Sequence, residues 1–223
     1  VDHDPHRTGH RSGTDGPRAR VLAAVENALT AALGPVDARA SVTFLGTERI
    51  EVLRFLGEDG PGEGGPVLRY ATLGMSAEPM ADPTAVLADP ERGPRAELLL
   101  TLRPGTRPPL PPLDRVLRPL AALAAAPRVE GLVIVPGASL DLGEPLWPGA
   151  PFASVLVAEP GGLVPDLGLP APREPVRFLP LLPLTPNEAA WKRVHGAAAL
   201  RERWLRHGTD LRDPQRTGVR LDE

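Results

Sequence analysis

The segment from Leu184 to Trp204, LTPNEAAWKRVHGAAALRERW, constrains the fold of this chain more than any other stretch. Thr185 suits a helix cap, Pro186 suits the first helical position, and Glu188 stands three residues after the cap, where its carboxylate reaches back to the cap amide. The apolar run before it, from Val176 to Leu182, is broken by proline and reads as a buried or edge strand feeding that helix. Trp191 and Trp204, two of the chain's 3 tryptophans, give this unit much of its large apolar surface. Trp191 and Leu200 would face opposite sides of a straight helix. Gly196, between them, is expected to kink it so that both reach one core.

The remaining segments are organised by punctuation. With 29 prolines and 23 glycines and no repeat, the chain must be built from short strands, tight turns and irregular connections. Pro17 to Leu33 reads as a first helix, with Val21, Leu22, Val25, Leu29 and Leu33 on one face and Gly34-Pro35 as the stop. Short strands are expected at Ser41–Leu45, Ile50–Leu56, Val67–Leu73 and Ala96–Leu102. A second helix is expected at Leu113–Ala126, ended by Pro127. Further strands are expected at Gly131–Val135 and Phe152–Ala158. The sum is one α/β (α+β) domain over residues 17–211, a mixed sheet of about six or seven strands flanked by helices. Residues 1–16, VDHDPHRTGHRSGTDG, read as a disordered tail and 212–223 as an exposed C-terminal tail.

Composition excludes several functions. The formal net charge is −3 and acids interleave with bases, which argues against nucleic acid as a partner. Lys192 is the only lysine among 25 basic residues, a skew toward arginine that reads as the coding bias of a GC-rich bacterial genome. There are 0 cysteines, so disulfides and thiolate metal sites are excluded. Neither a membrane-length apolar run nor a signal peptide is evident, so the expectation is a cytoplasmic protein with no membrane partner.

Candidate chemistry is sparse. Gly60, Gly62 and Gly65 match a dinucleotide-loop spacing, but Pro66 and a strand follow where a helix is required, so a hairpin loop between two strands is expected. Serines outside the N-terminal tail, at 41, 76, 139 and 154, lie in no nucleophile elbow. His195 and His207 read as helix-surface or helix-end residues. His3, His6 and His10 fall in the N-terminal tail without a ligand pattern. The PPLPP run near 108–112 reads as a rigid connection. No catalytic residue, metal or cofactor is therefore expected. Tyr70 is expected to pack its ring and keep its hydroxyl at the rim.

Several motifs together, in order, resemble the suppressor-of-fused domain family: VLRYATLGMS at Val67–Ser76, Pro79-Met80, AELLLTL at Ala96–Leu102, LWPGAPFASVLVAEPGGL at Leu146–Leu163, and the strand–helix unit at Leu184–Trp204. The match runs over roughly residues 20–215. In animals this family restrains Hedgehog signalling by binding a transcription factor with this domain and a second, C-terminal one. This chain has no room for the second domain and is similar to bacterial stand-alone members, some of which are proposed to neutralise toxins as immunity proteins. The resemblance thus implies a non-enzymatic protein-binding module whose partner is a toxin or an extended peptide that adds to the sheet edge.

The surface expected to carry binding combines two loops. Gly74–Pro94 is long and holds Met75 and Met80; Leu146–Phe152 holds Trp147, with Glu144 and Glu159 as an acidic rim for a basic partner. Trp147 either pins its loop to the core or presents an aromatic anchor. The competing function is a cofactor-free hydrolase or small-molecule binder with a pocket near Trp147.

Overall fold

The computed structural model describes residues 16–44, 48–58, 66–81, 89, 91–103 and 113–221, the side chains of 113 and 114 excepted. Its elements are α1 (Pro17–Leu33), β1 (Val36–Val42), β2 (Ile50–Glu58), β3 (Pro66–Leu73), a single 3-10 turn (Met75–Ala77), β4 (Arg95–Leu102), α2 (Leu113–Val129), β5 (Ser139–Asp141), β6 (Ser154–Val157), β7 (Val176–Leu184) and α3 (Pro186–Arg206). The strands form one sheet in the order β1-β2-β3-β4-β7-β6-β5. β1 to β4 pair antiparallel with their neighbours, β4 and β7 pair parallel, and β7, β6 and β5 are antiparallel again. This is the mixed α+β architecture expected from the sequence.

Both faces of the sheet are covered, which explains why β4 reads as a continuous apolar run instead of alternating. On one face Val52, Tyr70, Leu98, Leu100 and Leu181 pack with Val116, Leu120 and Leu123 of α2. On the other, Leu53, Phe55, Ala71, Leu99 and Phe178 meet Val21, Val25 and Leu29 of α1. A third cluster joins Leu156 and Leu184 to Ala189, Leu200 and Trp204 of α3, with Trp191 packed at its margin. Gly196 interrupts α3 at φ 87, so Trp191 and Leu200 reach the same cluster as the sequence implied.

Other expectations need correction. The segment Gly131–Val135 is not a strand: the Ile134 amide donates to Met80 Sδ at 3.3 Å, and the short strand β5 forms instead at Ser139. α2 does not stop before Pro127. A proline in the last turn forfeits only one donor, and Glu130 N still bonds Ala126 O at 2.8 Å before Gly131, at φ 68, ends the run. β1 starts five residues earlier than Ser41, because its inward positions Ala38 and Ala40 are too small to mark a strand by hydrophobicity. The 212–221 segment is not an exposed tail. It folds back onto α3, with Arg216 buried and Val219 and Leu221 against the third cluster. The His3–His10 stretch, the glycines at 60–65 and the PPLPP run lie outside the described residues.

Candidate functional site

Three constructions dominate the molecule beyond its core. The first is the lock at the start of α3. Thr185 Oγ1 accepts from the Glu188 amide at 3.4 Å and Glu188 returns a bond to the Thr185 amide at 2.9 Å, completing the capping box. Glu188 is fully buried and does more than cap. It also accepts from Trp204 Nε1 at 2.9 Å, from the Arg216 guanidinium at 2.8 and 3.0 Å, and from the Val219 amide at 3.1 Å. Burial alone would push this carboxyl up; the hydrogen bonds from Arg216, Trp204 and Thr185, with the charge of Arg216, outweigh it and hold the group below the usual carboxylate range. Arg216 also donates to Pro183 O at 2.6 Å and lies over the rings of Phe152 and Trp204.

The second is a buried acid in β4. Glu97 accepts from Thr72 Oγ1 at 2.6 Å, Gly74 N at 2.9 Å, Ser76 N at 3.0 Å and Ser76 Oγ at 2.6 Å. These bonds fix the turn that carries Met75, where Gly74 at φ 140 brings the backbone against Arg49 O. Arg95 closes the same turn by donating to Ser76 O at 2.9 Å. Tyr70 is more deeply set than expected. Its hydroxyl is buried rather than at the rim, and burial, before any effect of the neighbouring Arg54, raises its pKa.

The third is the outer edge of the sheet. β1 is terminal, with β2 on one side and no strand on the other among the described residues. Its charged side chains are tied inward or sideways: Asp37 to Arg54 at 2.6 Å, Arg39 to Glu51 at 2.8 Å and to Glu26 of α1. Alternate backbone N–H and C=O groups of this seven-residue strand therefore face away from β2 without a ladder partner.

The residues expected to anchor a partner are placed differently. Met75, Met80 and Trp147 are buried, at 8%, 5% and 5% exposure. Trp147 meets Phe152 edge-on, ring centroids 6.0 Å apart, and so pins its loop to the core. Glu144 is exposed, while Glu159 pairs with Arg177 at 3.3 Å. Among the described residues the two loops do not form one apolar surface, because Met75, Met80 and Trp147 pack into the core shared with α2. Both acids lie toward the β5–β7 side of the sheet, away from β1.

Among the described residues, no nucleophile and base meet in the cavities lined by α1 and α2 or by α3. The Lys192 amine donates to Ser139 Oγ at 3.3 Å, a pairing the sequence reading missed although Lys192 is the only lysine. Burial, then Arg193, lowers the pKa of that amine, but neither residue lines the cavity beside Trp191 and His195. His195 stacks on Trp191 with ring centroids 4.1 Å apart, a packing role. Among the described residues no group of three potential ligands can hold a metal ion, and no helix is long and apolar enough to cross a membrane. Glu97 is the one charge in the AELLLTL run at Ala96–Leu102, a local signal by which the sequence marks it. Arg216 is not so marked, since nothing local separates it from the other arginines of a polar segment.

A mixed sheet of this topology, bounded by β1 and β5 and covered on both faces, with no metal-ligand cluster among the described residues, defines an α+β domain. The model of the Suppressor of fused protein (SUFU) family matches residues 46–217. The chain belongs to the suppressor of fused family. It is similar to a SUFU homologue from Neisseria gonorrhoeae FA 1090, with 17% identity and a TM-score of 0.62 over 91% of this chain and 98% of that one. It is also similar to a chain of the Sufu–Fu complex, with 14% identity, a TM-score of 0.60, and coverage of 86% and 84%. Suppressor of Fused from Drosophila aligns at 14% identity and a TM-score of 0.58, over 86% of this chain but 46% of the Drosophila chain. No curated protein matches the chain.

Proposed function

We propose that this chain is a non-catalytic protein-binding module that takes an extended segment of its partner along the outer edge of β1. The observation that carries this reading is the terminal position of β1, a seven-residue strand with no further strand on its outer side among the described residues. Added backbone bonds supply affinity there, and the flanking Asp37, Arg39 and Ser41 supply selectivity. A family member in complex with a protein partner supports it. The burial of Met75, Met80 and Trp147 favours the edge over the loop surface, leaving Glu144 and Glu159 as a separate acidic rim that orients a basic partner. The finer reading is an immunity protein that neutralises a toxin by direct binding.

The test is a proline scan. Proline is tolerated in an edge strand only where the amide points outward. Single variants at Ala38, Arg39 and Ala40 should therefore alternate between folded and destabilised. The folded ones are expected to lose the partner captured by the wild type, whereas Glu144→Lys weakens capture only modestly. Folded proline variants that keep the partner at wild-type affinity would refute the edge as the binding site. Growth rescue on co-expression with the captured partner distinguishes toxin neutralisation from other binding.

A further inference from the structure

A cavity of about 370 Å³ opens between the first turn of α1, the last turn of α2 and the segment Gly74–Ala81. Its floor is apolar and buried, formed by Ile50, Met75, Met80, Ala124 and Ala125. That floor is held in place. Glu97 fixes the backbone on either side of Met75, and Met80 is held by its sulfur on the Ile134 amide and by its own amide on Pro94 O at 2.8 Å. A cavity that does not have to be ordered on binding keeps more of its contact energy as affinity.

The lip is charged and balanced. Arg18 comes from α1, Arg128 from α2, and Glu78 and Glu48 from the connecting segments. Glu78 holds both guanidiniums, Arg18 at 3.5 Å and Arg128 through its other oxygen, while Glu48 is exposed and makes no ion pair among the described residues. Burial, and then the charge of Arg18, lowers the pKa of the Arg128 guanidinium, so the two cations disfavour one another. The lip ion pairs are half-exposed and cost little to exchange for a ligand's charges. A simple anion would gain the arginines but confront two carboxylates, and a simple cation the reverse. A ligand bearing both charges gains on each side and leaves the lip neutral.

We propose that this cavity binds a free α-amino acid with an apolar side chain. The carboxylate lies between Arg18 and Arg128, the ammonium between Glu78 and Glu48, and the side chain on the two methionines. The volume lies near the lower limit of ordinary ligand pockets, which suits a single amino acid and excludes a nucleotide-sized cofactor. Methionine thioethers adapt to branched or aromatic shapes, so leucine and phenylalanine both fit the floor.

The chain has 2 methionines, Met75 and Met80, and both line the cavity. Protein labelled with ¹³C-methyl methionine therefore reports from the floor itself. Titration with L-leucine and L-phenylalanine is expected to shift both methyl signals saturably in the millimolar range or below. The isosteres 4-methylvalerate, which lacks the ammonium, and isoamylamine, which lacks the carboxylate, should bind at least about fivefold more weakly, the loss of one partly exposed charge contact. Arg128→Gln and Glu48→Gln, both at the half-exposed lip, should each weaken leucine by about three- to fivefold without altering the ligand-free methyl spectrum. The proposal is overturned if neither amino acid gives a saturable shift, if either isostere matches leucine, or if both variants bind leucine as the wild type does.

Discussion

Replacing Arg216 by methionine tests the claim that the C-terminal segment is part of the fold. Methionine keeps much of the apolar stem that lies over Phe152 and Trp204, so the change chiefly removes the guanidinium. Glu188, with no exposed surface, then loses two of its five hydrogen bonds and its only counter-charge among the described residues, at 2.8 Å. Breaking a buried pair from one side costs about 3–5 kcal/mol, because the remaining charge is stranded. For a chain of this size that is roughly a 10 °C fall in melting temperature, measurable by urea denaturation and thermal unfolding. The double variant Glu188→Gln, Arg216→Met should lose at least about 1 kcal/mol less than the sum of the singles, since it strands no charge. The pH dependence carries a sign. The folded Glu188 carboxyl is held below its unfolded value, so its contribution is complete above the unfolded pKa, about 4.3, and is lost as pH falls through the folded one. The stability gap between wild type and Arg216→Met should therefore narrow on acidification. A loss under about 1 kcal/mol for Arg216→Met at neutral pH, or a gap that widens in acid, would refute the lock.

Two further outcomes follow from the same geometry. Thr185→Ala removes one side of the capping box and should cost about 1 kcal/mol, read by urea denaturation. Trp147→Ala empties a buried site beside Phe152 and should cost about 3–5 kcal/mol, so any partner capture by that variant must be scored on protein shown to be folded by circular dichroism.

The elements legible in the sequence were those with local signals. The capping box at Thr185, the Gly34-Pro35 stop and the kink at Gly196 each depend on residues within one turn, and each stands where it was expected. The family resemblance rested on the ordered motifs, and the family match bears it out. Errors arose where the deciding partner is distant in sequence. Gly131–Val135 has strand composition but its amide bonds a methionine far upstream, and Arg216 acquires its meaning only from Glu188 across the fold. Met75, Met80 and Trp147 stand out by residue type, yet loop punctuation carries no information on whether a side chain faces the core or the solvent. The cavity above the methionines was likewise beyond reach, because its lip gathers residues from α1, α2 and two connections.

The sheet's single parallel pairing has a consequence for how the chain is made. β1 to β4 are joined by short-range antiparallel pairings, and these can form as soon as β4 has been synthesised. β4, apolar on both faces, then waits with an open side until residues 176–184 emerge and β7 docks beside it. During that interval the nascent protein carries a greasy, unpaired strand, the form of chain most prone to stick to its own copies. A translation product truncated between β4 and β7 should accordingly collect in inclusion bodies while the complete chain stays dispersed, and synthesis of this domain is a race between the ribosome and self-association.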